Sequence, residues 1–189
     1  MIAIVDACSG NLRSVERALA HVGADAVVTR DPEVVRRADK IVVPGQGAFA
    51  RFMTGLADRG LEQPLRDALA RGVPYFGICL GLQVLFEHSE EGDVDGLGVL
   101  AGNVVRFRPT DRALKVPHMG WNRVGSGEHF YFVHSYHAVP ADRSIVALEA
   151  THGIAFCAAV KTRNIFAVQF HPEKSQAAGL ELLRRELAA

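Results

Sequence analysis

An excess of charge of either sign is missing from this chain. Lys plus Arg and Asp plus Glu number 21 each, so no net field draws the molecule to nucleic acid or to an anionic membrane. Cysteine is scarce: Cys8, Cys79 and Cys157 are an odd number, widely spaced and without a CxxC pair, which argues against a disulfide framework or a zinc knuckle. No apolar run approaches the roughly 20 residues of a membrane-spanning helix. In the opening MIAIVDACSGN no basic segment precedes the apolar stretch, and Asp6 interrupts it, so no secretory signal is expected. The expectation is a cytoplasmic protein with neither nucleic-acid nor membrane partners. What is present fits that: 189 residues, 49% apolar and 22% charged, suffice for one core, and a single domain over residues 1–189 is expected.

The first ninety residues alternate between two periods. IAIVD (2–6) is an apolar run rich in branched residues, and the segment after it carries Leu12, Val15, Leu19 and Val22 at helical spacing before Gly23. AVVT then DPEVVRRA repeats the pattern. KIVVPG is followed by one longer helical segment, AFARFMTGLADRGLEQPLRDALARG, and VPYFGIC is followed by LGLQVLFE. Strands alternating with helices at this spacing predict a parallel sheet covered on both faces. Beyond residue 93, NVVRF, FYFVHSY, IVALEA, IAFCAAV and IFAVQF read as short strands, expected as antiparallel additions to the same sheet, with QAAGLELLRREL a closing helix.

In such a sheet, functional groups gather beyond the carboxyl ends of the strands. Gly77-Ile78-Cys79-Leu80-Gly81 falls there and has the spacing of a nucleophile elbow, a sharp strand-to-helix turn that exposes its central residue. A helix starting at this point would bring partial positive charge near the sulfur. Cys8 and Cys157 lack the flanking glycines and are expected to be packing residues. AVQFHPEKS (167–175) supplies a base: in extended chain His171 and Glu173 lie on one side, and Pro172 between them blocks a helix. An imidazole that takes a proton from a thiol, oriented by a carboxylate, is the general triad arrangement. His134 and His137, three apart in a strand, are expected to face opposite ways, and no Cys or carboxylate cluster completes a site, so no metal is expected.

GICLGLQ together with FHPEKS resembles the class I glutamine amidotransferases, whose triad is Cys-His-Glu with the last two written H-P-E. SGNLRSV, PGQGAF, KVPHMGWN and YFVHSYHA resemble the branch that provides the glutaminase subunit of imidazole glycerol phosphate synthase. The resemblance implies a flavodoxin-like α/β fold, with a mainly parallel central sheet flanked by helices, and no cofactor. It implies Cys79 as nucleophile, His171 as acid and base, and Glu173 as its orienting group. The oxyanion would be held by the amide of Leu80 and by the loop carrying Gly45, Gln46 and Gly47. Gln83, one helical turn beyond Cys79, is expected to reach bound L-glutamine. His134, Ser135 and Tyr136 match the segment that contacts the amino-acid end of the substrate. Asn11, His118 and Trp121 are expected near the contact with a β/α-barrel cyclase subunit in a heterodimer, because 189 residues leave no room for a synthase domain. Trp121, the only tryptophan, is of the type favoured in interface hot spots, although local core is the plainer alternative.

Two departures stand out. Relatives commonly read D-Y-G-x-G-N where this chain has Asp6-Ala7-Cys8-Ser9-Gly10-Asn11, and P-G-V-G where it has Gln46. The glutaminase subunit serving pyridoxal phosphate synthase is a rival reading, but it usually has P-G-G-E-S at the latter loop. A silent flavodoxin-like interaction module, or a cysteine peptidase or glyoxalase-like hydrolase, would show no glutamine-dependent chemistry.

Overall fold

The computed structural model describes residues 1–8, 11–111, 113–125 and 127–187; Ser9 and Gly10 of the SGNLRSV motif lie outside them. The chain runs β1 (Ile2–Val5), α1 (Leu12–His21), β2 (Ala26–Thr29), α2 (Pro32–Arg37), β3 (Lys40–Gly45), α3 (Phe49–Asp58), α4 (Glu62–Ala70), β4 (Tyr75–Cys79), α5 (Leu80–Gln83), β5 (Phe86–Ser89) and β6 (Val94–Asp95). It continues through β7 (Leu100–Arg106), β8 (His118–Arg123), β9 (His129–His134), β10 (Tyr136–Pro140), β11 (Val146–His152), β12 (Ile154–Lys161), β13 (Ile165–Val168) and α6 (Gln176–Leu187).

The main sheet has seven strands in the order β11-β12-β13-β4-β3-β1-β2. From β13 to β2 every pairing is parallel, and β12 and β11 add antiparallel strands at one edge. Both faces are buried, which is why β1, β4 and β13 are apolar throughout rather than alternating. Successive residues feed opposite layers. Ala3, Val5, Ile41 and Val43 pack with α3 and α4, while Ile4, Val42 and Phe76 pack with α1, α6 and the aromatic residues Phe130, Phe132 and Phe170. Asp31 caps α2 by accepting from the Glu33 amide, and Pro32 occupies its first turn.

Three expectations need correction. The long helix after β3 is two helices: the Gly60 amide closes on Ala57 O and the Leu61 amide on Leu56 O, turning the chain before α4. LGLQVLFE is helical only over Leu80–Gln83. There the carbonyls of Val84, Leu85 and Phe86 are taken by amides of the 97–100 segment, and Phe86 begins a strand. The later strands do not all join the main sheet. β5, β6, β7 and β10 form a second sheet, and β8 pairs with β9 as a separate ribbon. FYFVHSY is split at Ser135, whose carbonyl binds the Phe107 amide, so β9 and β10 have different partners.

Candidate active site

Cys79 ends β4 at φ 55°, ψ −105°, outside the left-handed well that a non-glycine residue tolerates. Such strain persists only where the surroundings enforce it. Gly81 supplies the enforcement: a Cβ there would lie 1.8 Å from Val43 O, so the turn after the sulfur sits directly on β3. β3 reaches its end at the same level, with Gly45 opposite Cys79. The loop Gly45-Gln46-Gly47 is thereby set beside the sulfur, and Gly47 takes φ +94° in open space. Leu80 opens α5, where first-turn amides have no helical acceptor.

The base arrives from β13. His171 Nδ1 lies 2.9 Å from Glu173 Oε1, with both side chains about 1% exposed. The carboxylate only accepts, so Nδ1 carries the proton and Nε2 is the atom left for chemistry; neither Nε2 nor Glu173 Oε2 has a hydrogen-bond partner within the protein. Ser175 Oγ donates to His171 O at 2.6 Å, and the His171 amide donates to Tyr131 O, which fixes the backbone carrying the ring. Burial disfavours the imidazolium, but the adjacent Cys79 sulfur and the Glu173 carboxylate outweigh it and push the ring up to about 9.

Cys79, His171, Gln46, Gly47, Leu80 and Gln83 line a cavity of about 270 Å³, together with His134, Ser135 and Tyr136. The expected catalytic, oxyanion and substrate residues therefore converge. Gln83 departs from expectation in part: its Nε2 is committed to Tyr136 O and Gln169 Oε1, both at 3.0 Å, so its amide hydrogens are not free for substrate. On the other side of the imidazole, Asn11 and Leu12 border a space of about 10 Å³ with Gln46, His171 and Glu173. That is about the room of one water.

Two site residues were missed from the sequence. Glu91 lines the cavity and caps the Phe49 amide with Oε2 at 3.0 Å, but it is hidden in the acidic run EHSEEGDVD. Gln169 is fully buried, with Nε2 3.6 Å from Cys79 Sγ. The only signal for it was an amide inside the apolar run AVQF.

The expected interface residues divide. Along β8, Met119 and Trp121 are 63% and 48% exposed, and Trp121 meets Tyr131 edge-on rather than entering the core. His118 points inward and is buried, so it cannot itself form a surface contact. Its Nδ1 lies 2.9 Å from His134 Nε2, and its Nε2 lies 3.1 Å from Asn122 Nδ2. Burial, then the neighbouring His152, lower His118 to about 4; burial lowers His134 to about 3. His134 and His137 do not face opposite ways, since both pack against the Phe107 ring. Among the described residues no three of His, Cys, Asp and Glu are placed to hold a metal.

The remaining cysteines behave as packing residues. Burial pushes Cys157 up to about 12 and also raises Cys8. Cys8 Sγ lies 3.9 Å from Gln46 O, so the two departures from the family pattern touch one another.

The chain matches the glutamine amidotransferase class-I family over residues 3–189. It is 50% identical to an imidazole glycerol phosphate synthase subunit HisH of Rhodopirellula baltica, the match covering 98% of this chain and 96% of that one. It is 47% identical to the HisH subunit of Geobacter sulfurreducens over 97% and 96%. Among solved structures, one described as a glutamine amidotransferase superposes with a TM-score of 0.77 at 24% identity, covering 99% of this chain and 98% of that one; at that identity it supports the fold alone. The chain belongs to the class-I glutamine amidotransferases and, within them, to the family of HisH subunits of imidazole glycerol phosphate synthase.

Proposed function

We propose that this chain hydrolyses L-glutamine to glutamate and ammonia and passes the ammonia to a β/α-barrel cyclase subunit, which forms imidazole glycerol phosphate and AICAR in L-histidine synthesis. The observation that carries this reading is the strained Cys79 beside an imidazole held protonated by that sulfur and by Glu173. The pyridoxal phosphate alternative is not favoured, given relatives that are HisH subunits along nearly their whole length.

The cavity volume suits one amino acid. Glu91 gives it a carboxylate to attract the substrate's ammonium group. The Cys79 thiolate attacks the side-chain carbonyl of glutamine, and the new oxyanion is received by backbone amides of Leu80 and the Gly45-Gln46-Gly47 loop. The protonated Nε2 of His171 gives its proton to the departing nitrogen as the tetrahedral carbon collapses to a thioester. Neutral His171 then takes a proton from water, whose oxygen displaces the sulfur and yields glutamate. Ammonia released into neutral water would be protonated and lose its nucleophilic lone pair, so it must travel under cover. The exposed Met119 and Trp121 support a protein contact on β8. We also infer a single catalytic domain over 1–189 and a cytosolic setting, supported by three unpaired thiols; among the described residues no helix is long and apolar enough to cross a membrane.

The test is glutamate release with and without a cognate cyclase subunit and its nucleotide ligand. Little release by the free chain and strong stimulation in the complex are expected, with Cys79→Ala abolishing both. A glutamine-like electrophile should label Cys79, and glutamine should block the labelling. Glutamate release that survives Cys79→Ala would overturn the reading.

A further inference from the structure

The buried amides beside the nucleophile form a chain whose direction can be worked out atom by atom. Tyr136 O only accepts, so the Gln83 atom 3.0 Å from it is the nitrogen. That nitrogen also donates to Gln169, so the Gln169 atom facing it, at 3.0 Å, is the oxygen. The remaining Gln169 nitrogen therefore faces Cys79 Sγ, 3.6 Å away, and must donate. Tyr136 O is in turn held by His134 Nδ1 at 2.8 Å, so the carbonyl that sets the order is itself fixed. Gln169 is fully buried, and Gln83, in the cavity wall, is only 3% exposed.

From this geometry we infer that Gln169 is a positioning residue for the glutaminase reaction: its amide holds the Cys79 sulfur in line for attack, while Gln83 keeps that amide from flipping. The inference rests on Cys79 being the nucleophile. Gln169 directly follows β13, two residues before His171, and brings its amide to 3.6 Å from the sulfur. A sulfur bonded by a donor that cannot rotate has one orientation. An apolar side chain in its place would leave the sulfur without this bond.

The experiment compares parent and Gln169→Met in complex with the cyclase subunit. Four quantities are read: kcat and KM for glutamine, the thermal midpoint, and the rate at which iodoacetamide alkylates Cys79 between pH 5 and 9. Hydrogen bonds to charged groups predict a kcat lower by roughly tenfold to a hundredfold. KM should change far less, and alkylation should slow across that pH range. A purely packing role would move the thermal midpoint and leave the alkylation profile of the folded protein unchanged, which overturns the inference. Should Gln169→Met fail to fold, the parent answers the same question by NMR. The side-chain amide cross-peak of Gln169 should shift when Cys79 is alkylated and should follow the sulfur's titration; indifference to both overturns the inference. If the parent's Cys79 is not alkylated while glutamate release persists, the nucleophile assignment fails, and this inference with it; if the parent reacts and the variant matches it, only this inference fails.

Discussion

At the scale of single residues, space and strain separate two glycines that look alike in the sequence. Gly81 has no room, because an added methyl would meet Val43 O at 1.8 Å, and the atom in its way belongs to the backbone of a central strand. Gly81→Ala is expected to destabilise by about 3 kcal/mol, as overpacking does when neighbours cannot yield, measurable as a lower urea midpoint with an unchanged slope. Gly47 has nothing within 4 Å of a built Cβ, and its constraint is φ +94° alone. Gly47→Ala should cost only about 1–2 kcal/mol of stability, yet reduce kcat, since it alters the peptide beside the oxyanion. Equal kcat in parent and Gly47→Ala would remove that loop from the mechanism. Cys79, His171 and Glu173 were legible from two weak spacing signals, a glycine-flanked elbow and a strand-end His-x-Glu pair, which the family resemblance joined. Gln169 was not, because its meaning comes from partners 86 and 90 residues away in sequence.

Among the elements, β1, β3 and β4 could be read because they lie inside the sheet and so appear as continuous apolar runs, whereas β2 at the edge was marked by its branched residues and by the turn signal that follows it. The reading failed where tertiary hydrogen bonds overrode local pattern. After Gln83 nothing in VLFE forbids a helix; amides from residues 97–100 end it by claiming its carbonyls. The strand β8 shows the opposite case, in which period-two alternation decides which side chains reach the surface. His118 is buried while Met119 and Trp121 face outward, so one strand presents an apolar surface on one side and a polar chain leading to His134 on the other. Trp121→Ala should weaken binding of the cyclase subunit by about thirtyfold, the ~2 kcal/mol of an aromatic hot spot, read by titration calorimetry. A change below twofold would place the contact elsewhere.

For the whole molecule, buried histidines set opposite limits on stability. His118 and His134 titrate at about 4 and 3 when folded, below their ordinary 6.5, so the unfolded chain binds protons that the folded one refuses. Their contribution is complete above pH 6.5 and is lost as the pH falls toward 4. His171 is shifted the other way, to about 9, and its contribution is complete below 6.5 and lost as the pH rises through 9. Urea unfolding at a series of pH values should therefore give a stability that declines on both sides of roughly neutral pH. On the acid side the decline should be steep enough to require uptake of more than one proton; a flat profile between pH 6.5 and 4.5 would contradict the buried neutral pair.

The strand order of the main sheet carries one more consequence. β13 lies between β12 and β4, although it is the last strand among the described residues. During translation, Cys79 leaves the ribosome long before the segment that carries its base, and the slot beside it stays vacant until residues 165–168 insert. A nascent chain thus cannot hydrolyse glutamine until the segment through Glu173 has emerged, and a fragment cut short before Ile165 would keep the thiol while lacking both its imidazole and the strand that shields it.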